Sequence, residues 1–282
     1  MFSRKHPALF ISSGFIEPGT VTISRELLFE GNEALPYSKE TFPEILKQAL
    51  SVTAKGARIV LSEELVYVTV LIFPAGTKLT RELVRSRAEE TVPEDLRATA
   101  WDFRTMRYRE LIGMEGEILV QVAVIEGSFS EMLSTVLLER NFSVEAIFPE
   151  SSVLASLVAT KSGVTVIMEQ DRERTLFIAC ESDLVLSTQT RAGVSEYPSL
   201  KAFLMFVSGV LEKNIETIVL SHVDDVQLKE ALEKDGYAYE EQSLNPLLGA
   251  FFLKVSGRDD AVLNLNTFSR APERSWWQRF FS

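Results

Sequence analysis

Cysteine and histidine are nearly absent from this 282-residue sequence, which has one Cys, Cys180, and two His, His6 and His222. One cysteine excludes an internal disulfide and any cysteine-cluster zinc site. Two histidines leave almost no material for a His-based metal or catalytic centre. No run of about eighteen apolar residues occurs, so the sequence predicts no membrane-spanning helix. The basic start Met1–Pro7 is followed by only a short apolar run, Ala8 to Ile11, so no secretory signal is expected. Positive charge is also in deficit: 29 Lys and Arg stand against 40 Asp and Glu, a formal net charge of −11. Such a chain repels polyphosphate backbones, and no nucleic-acid partner is expected. The sequence reads as intracellular, or as facing the cytoplasm.

What is present is ordinary for a globular chain: 46% apolar and 24% charged residues. That excludes disorder and coiled coil for most of the chain. The length is enough for two domains. Strand-like and helix-like segments alternate. Ala8–Ser12, Val21–Ser24 and Leu27–Phe29 read as strands, with Gly14, Pro18 and Gly19 as turn material between the first two. Ser38 or Thr41 caps a helix whose apolar residues Phe42, Ile45, Leu46, Ala49 and Leu50 recur at helical spacing. Arg58–Leu61 and Leu65–Phe73 are strands, and Thr80 caps a helix that ends before Pro93. Ala98–Met106 and Ile118–Ile125 read as an antiparallel pair. Ser128 and Glu131 form a capping-box pattern ahead of a helix. Val144–Phe148 is a strand and Ser151–Val158 a helix.

From Gly163 a second series begins. Val164–Met168, Thr175–Cys180 and Leu184–Thr188 are strands, and Pro198 opens a helix with Leu200, Phe203, Leu204 and Val207 on one face. Ile218–Leu220 is a strand, Asp224 or Asp225 a helix cap, and Ala238–Glu240 a short strand. Residues 8–61 thus read β-β-β-α-β and residues 163–240 read β-β-β-α-β-α-β. Two copies of a three-strand meander followed by helix and strand predict a duplicated α/β architecture. An α+β piece lies between the copies.

Several runs carry a family resemblance: Lys55-Gly56-Ala57-Arg58-Ile59-Val60-Leu61-Ser62, then Tyr67 to Phe73 ending in Pro74. Leu79-Thr80-Arg81-Glu82-Leu83 leads to Thr91-Val92-Pro93 and then Trp101-Asp102-Phe103. Val122 to Ile125, Asn141-Phe142-Ser143-Val144 and Ile218-Val219-Leu220-Ser221 complete the order. The layout resembles the PilM and FtsA branch of actin-like proteins, including the cytoplasmic domain of GspL. The resemblance implies a duplicated actin-like (ribonuclease H-like) α/β fold with a small inserted α+β subdomain. It implies a first half at 1–71, the inserted piece at 72–148, a second half at 149–262, and a partner-like segment and tail at 263–282.

Actin-like ATPases hold phosphates on two glycine-containing hairpin turns, with a carboxylate orienting hydrated magnesium. The resemblance places these at Ser12–Gly19 and Met168–Thr175. The first turn has Gly14, but no Asp precedes it and Pro18 removes a donor. In the second, Glu169 falls at the family's Asp and Asp171 at its Gly, where a side chain blocks backbone approach and adds negative charge. His222-Val223-Asp224-Asp225 stands at the third position in place of a glycine pair. One reading keeps Glu169 for magnesium and Arg172 or Arg174 for phosphate. The other makes the region a solvated charged hairpin, and the missing features favour it. No cofactor, metal site or catalytic residue is therefore expected. His222 reads as a surface turn, Asp259-Asp260 as a loop cap, and Cys180 as a small buried residue.

The C-terminal stretch differs from the rest. Residues 270–282 hold Arg270, Arg274 and Arg279 against one acid, Glu273, with Trp276, Trp277, Phe280 and Phe281 between them. Asn264-Leu265-Asn266 just ahead resembles the Asn-Leu segment with which PilN binds PilM. Two readings stand: a juxtamembrane tail on the cytoplasmic face of an inner membrane, continuing beyond Ser282 into a span, or an amphipathic helix packed on the domain. The resemblance implies a non-catalytic scaffold of a type IV pilus or type II secretion platform. Its implied partners are inner-membrane platform proteins, a cytoplasmic assembly ATPase and the membrane surface. A divergent ATPase and an FtsA-like polymerising tether are the alternatives.

Overall fold

Residues 4–23, 27–51, 56–105, 117–139, 142, 144–158, 163–171, 174–253 and 263–266 are described by a computed structural model of the chain. The Val, Leu and Ile runs of the N-terminal region form β1 (Arg4–Ile11), β2 (Phe15–Ile23) and β3 (Leu27–Gly31), followed by a two-residue strand β4 (Leu35–Pro36). Then come α1 (Phe42–Ser51) and β5 (Ala57–Leu61). An inserted piece holds β6 (Val66–Pro74), α2 (Arg81–Ala88), β7 (Trp101–Thr105) and β8 (Glu117–Ile125). After it follow α3 (Gly127–Glu139), β9 (Val144–Pro149) and α4 (Glu150–Val158). The second series is β10 (Val164–Gln170), β11 (Arg174–Glu181), β12 (Leu184–Ala192), α5 (Tyr197–Gly209), β13 (Ile215–Ser221), α6 (Val226–Lys234), β14 (Tyr239–Glu241) and α7 (Pro246–Gly249).

Two sheets share one topology. Their strand orders are β3-β2-β1-β5-β9 and β12-β11-β10-β13-β14, each an antiparallel meander extended by two parallel strands. The duplication is fuller than the sequence suggested. The first copy resumes after the insertion, with α3 and β9 answering α6 and β14. Consequently residues 144–148, expected in the inserted piece, and Pro149, expected in the second half, belong to a strand that pairs in parallel with β5 in the first sheet, and the expected edge at 71/72 falls inside β6. The third sheet, β6-β8-β7, is antiparallel.

Alternating residues sort the layers. Leu9, Ile11, Ile59 and Leu61 face α1 and α3, where Phe42 meets Phe129 edge-on at 5.2 Å. Phe10, Val60 and Phe148 face Val153 of α4 and Leu247 of α7. The second sheet repeats the pattern: Val166, Met168 and Phe177 pack on α5 and α6, while Ile167, Ile178 and Val219 pack on Leu154 of α4. Helix α4 therefore lies between the two sheets and is buried along nearly its whole length. A helix buried on all sides needs apolar or small residues throughout, which its Ser, Ala, Val and Leu content supplies.

Several local expectations change. Pro18 and Gly19 lie inside β2, opposite Leu9 and Ala8. Pro18 is tolerated because it faces the end of β3, where its carbonyl accepts from Asn32 and only the last bond of the ladder lacks a donor. Gly19 is needed because the Phe29 ring lies against the space a Cβ would take. Helix α3 is capped by Glu126, whose carboxylate accepts from the N–H of Ser128 at 3.1 Å and Phe129 at 2.7 Å, not by Ser128. Asp225, not Asp224, caps α6, and Thr80 caps α2. Strand β7 begins at Trp101, and Met106 lies outside the described residues. Helix α7, capped by Asn245, is too short for a periodic signal and was not expected.

Residues 263–266 bind the edge of the first sheet. Leu265 N–H donates to the Ile147 carbonyl at 2.8 Å, and the Asn264 side chain accepts from Ile147 N–H at 3.0 Å. Asn264 N–H donates to Asp102 of β7 at 3.0 Å, and the Asn266 amide donates to the Val144 carbonyl at 2.7 Å. Leu263 and Leu265 are buried in the α1–α3 core. The segment thus joins the first half to the inserted sheet. Leu265→Ala is expected to cost about 2–5 kcal/mol in urea unfolding. Leu138→Ala, at a residue 64% exposed on α3, should stay within about 0.5 kcal/mol. Equal losses for the two would contradict this placement.

Candidate functional site: an acidic cleft between the halves

Parallel strands of an open α/β sheet gather ligands at their carboxyl ends. Here the ends of β1 and β10, and the residues just past β9 and β13, line one cleft of about 320 Å³. Phe10 and Phe15 wall it on the first sheet and Leu244–Leu247 on the other side. Glu17, Glu150, Glu169, Asp171, Arg174 and His222 supply its charge.

The first hairpin turn uses its donors internally. Ser12 Oγ accepts from the N–H of Gly14 at 3.3 Å and of Phe15 at 3.2 Å. Ser13 donates from N–H and from Oγ to one oxygen of Glu64, at 3.3 and 2.6 Å. Ser12 N–H donates to the Phe15 carbonyl at 3.0 Å, and the Tyr37 hydroxyl holds the Ser12 carbonyl. A phosphate cradle needs these N–H groups free. Gly14 has open space where a Cβ would stand, so no neighbour requires a glycine there.

The second turn does the same with Asp171. Its carboxylate accepts from Arg174 N–H at 2.8 Å and from Arg174 Nε at 3.0 Å, and its own N–H donates to the Arg174 carbonyl at 3.0 Å. Arg174 Nη2 continues to Glu150 Oε1 at 2.6 Å, and its guanidinium lies 5.5 Å from the Phe10 ring centroid. The arginine side chain is 4% exposed, so it answers to the protein's own acids. Arg172 lies outside the described residues. Glu169 stands on β10 with Oε1 3.7 Å from His222 Nδ1. His222 adopts a left-handed φ of 56° and shares a 2.9 Å hydrogen bond between Nε2 and Ser243 Oγ.

One guanidinium cannot neutralise this many buried acids. Burial raises the Glu150 carboxyl to about 8, and Glu169 and Glu63 add to the rise while Arg174 opposes it. Burial likewise raises Glu63, which accepts from Ser151 N–H at 2.9 Å. Burial and then the Asp171 charge raise Glu17. Burial works against the charge on Arg174, but Glu150, Glu169 and Asp171 outweigh it and hold the guanidinium protonated. Glu150 therefore holds its proton well above the ordinary carboxyl range. The Glu169 carboxylate, against the opposing effect of burial, raises His222.

Of the residues singled out from sequence, Glu169 and Asp171 line this cleft, and Gly14 stands in the first hairpin turn without lining it. Asn264, Leu265 and Asn266 instead bind β9 and Asp102. Cys180 is buried in the second half with Sγ 3.6 Å from the Thr165 carbonyl. Arg270, Arg274, Trp276, Trp277, Arg279, Phe280, Phe281 and Asp259-Asp260 lie outside the described residues. Glu63, Glu64 and Glu150 were missed. The available signal was their position just past the ends of β5 and β9. Among the described residues, no group of three or more His, Cys, Asp or Glu is placed to hold a metal ion.

No protein-family model and no curated protein matches the chain. Solved structures do. A Bacteroides thetaiotaomicron protein with an actin-like ATPase fold and unknown function aligns at TM-score 0.59 and 11% identity, over 89% of this chain and 96% of its own. The cytoplasmic domain of EpsL, an inner-membrane component of the Vibrio cholerae type II secretion system, aligns at 0.58 and 12%, over 93% and 98%. A chain of the PilM–PilN type IV pilus biogenesis complex aligns at 0.56 and 14%, over 86% and 89%. The fold is therefore the actin-like one, as the resemblance implied.

The raised acids set a direction for stability. Glu150 binds its proton more tightly in the folded protein than at the ordinary 4.5 of the unfolded chain. Its contribution is fully present below about pH 4.5 and is lost as pH rises toward 8, at up to about 1.4 kcal/mol per pH unit per proton. Glu63 and His222, also raised, act with the same sign. The melting temperature should fall between pH 6 and 8.5. Glu150→Gln, which keeps an oxygen for Arg174, should flatten the slope. A melting temperature that climbs over this range would contradict the assignment.

Proposed function

We propose that this protein is a non-catalytic scaffold with an actin-like fold, acting in the inner-membrane platform of a type IV pilus or type II secretion machine. It would couple membrane components to cytoplasmic ones, including an assembly ATPase. The observation that carries the non-catalytic reading is that the described donors of both phosphate-type turns are already used. Ser12, Glu64 and Asp171 already accept the hydrogen bonds from N–H groups that a nucleotide would need. The acidic lining of the cleft would further repel a polyphosphate at close range. Likeness to EpsL and to the PilM–PilN complex supports the choice of machine.

The place of action follows from the tail. Trp276, Trp277, Phe280 and Phe281 suit the interface of a bilayer, and Arg270, Arg274 and Arg279 suit anionic headgroups at about 1 kcal/mol each. The rest of the chain is acidic and would be repelled. Asn264-Leu265-Asn266 would hold the globular body at a fixed distance from that surface.

Calorimetric titration with ATP and Mg²⁺ is expected to give no saturable binding up to millimolar nucleotide, and a micromolar dissociation constant would overturn the non-catalytic reading. In the same study, the 282-residue chain should co-sediment with anionic liposomes at low salt, and a version ending at Ser269 should not. Equal, salt-insensitive sedimentation of both would remove the membrane placement.

A further inference from the structure

The cleft keeps polar atoms that its own fold does not satisfy. Among the described residues, Glu150 Oε2, Glu169 Oε2 and Arg174 Nη1 are each buried without a hydrogen-bond partner. Glu150 is 1% exposed and Glu169 6%. Their other oxygens are used, Glu150 Oε1 on Arg174 and Glu169 Oε1 facing His222. All three residues line the cleft. Buried polar groups are rarely left unpaired, because each carries a desolvation cost, and exceptions concentrate where something binds.

We propose that the cleft binds an organic cation, an ammonium or guanidinium group seated between Glu150 and Glu169, on a ligand that also offers an acceptor to Arg174. Charge selects the sign: among the described residues, Glu17, Glu150, Glu169 and Asp171 surround one guanidinium and one imidazole, and a cation takes the place of the proton that burial holds on Glu150. Donors on the ligand complete the two open carboxylate oxygens, and a carbonyl, hydroxyl or carboxylate oxygen completes Nη1. A bare metal ion fits poorly, since no three ligating side chains converge among the described residues. A volume of about 320 Å³ accommodates an organic group, and Phe10 and Phe15 offer aromatic faces to its stem or its cation. The site thus inverts the charge logic of a nucleotide pocket at the same place in the fold. Two sources share this chemistry, a free metabolite-sized amine and an Arg or Lys side chain of a partner protein.

The test is calorimetric titration of the 282-residue chain at low ionic strength with agmatine, L-argininamide and acetyl-Gly-Arg-Gly-amide, with L-glutamate as the anionic control. One-to-one binding by at least one cationic probe is expected, and none by L-glutamate. Tenfold or tighter binding of the peptide over the two small amines would identify a partner side chain. The reverse order would identify a free ligand. Glu169→Gln should weaken binding at least tenfold, whereas Glu230→Gln, an equal charge change on the exposed face of α6, should leave it unchanged. Should Glu169→Gln fail to fold, Glu17→Gln on β2 takes its place, with at least a threefold loss expected. Absence of saturable binding by every cationic probe overturns the proposal, as does wild-type affinity in the folded cleft variant. ATP titrated separately keeps this outcome distinct from that of the scaffold reading.

Discussion

Arg174 is the cation on which the junction of the two halves depends. It projects from β11 of the second sheet and meets Glu150, the first residue of α4, directly after the last strand of the first sheet. Asp171 holds it from its own turn and Phe10 lies under it from β1. A guanidinium buried this deeply is stable only among acids, and acids buried this deeply are stable only beside it. Removing the arginine would leave the carboxylates facing one another across the two sheets. The requirement therefore fixes the cleft's charge, and with it the kind of ligand the cleft can accept.

Helix α4 turns that local need into architecture. Both sheets rest on it, and its first residue, Glu150, lines the cleft with the ends of β1 and β10. The inserted sheet adds a clasp across the halves: Arg104 of β7, held by Gln121 at 2.8 Å, reaches Asp183 between β11 and β12 at 2.8 Å. Two residues earlier on the same strand, Asp102 receives the Asn264 backbone. Arg58 of β5 binds the carbonyls of Ala250 and Leu253 after α7 and stacks on Phe251 at 4.6 Å. These ties cross between elements far apart in sequence, which suits a body that transmits position between partners.

Much of the fold was legible because buried parallel strands read as continuous Val, Ile and Leu runs, such as Arg58–Leu61 and Val164–Met168. The full duplication was not, because the insertion separates α3 and β9 from the meander they complete. Pro18 and Gly19 signalled a turn, and only pairing with β1 and β3 shows why a strand tolerates them there. At the cleft, the sequence marked what was missing, a glycine at Asp171 and an acid before Gly14. It did not show what fills the vacated roles. Glu64 reaches Ser13 across 51 residues and Arg174 reaches Glu150 across 24, distances that no local pattern encodes.

The central claim is that the chain's own oxygens occupy the described donors of both turns. Backbone amide resonances of Ser13, Gly14, Phe15 and Arg174, followed by NMR during titration with inorganic pyrophosphate and Mg²⁺, report on those donors directly. The account predicts no saturable shift at any of the four. A saturable shift at Gly14 and Phe15 together with Arg174 would show the two turns closing on phosphate and would contradict it.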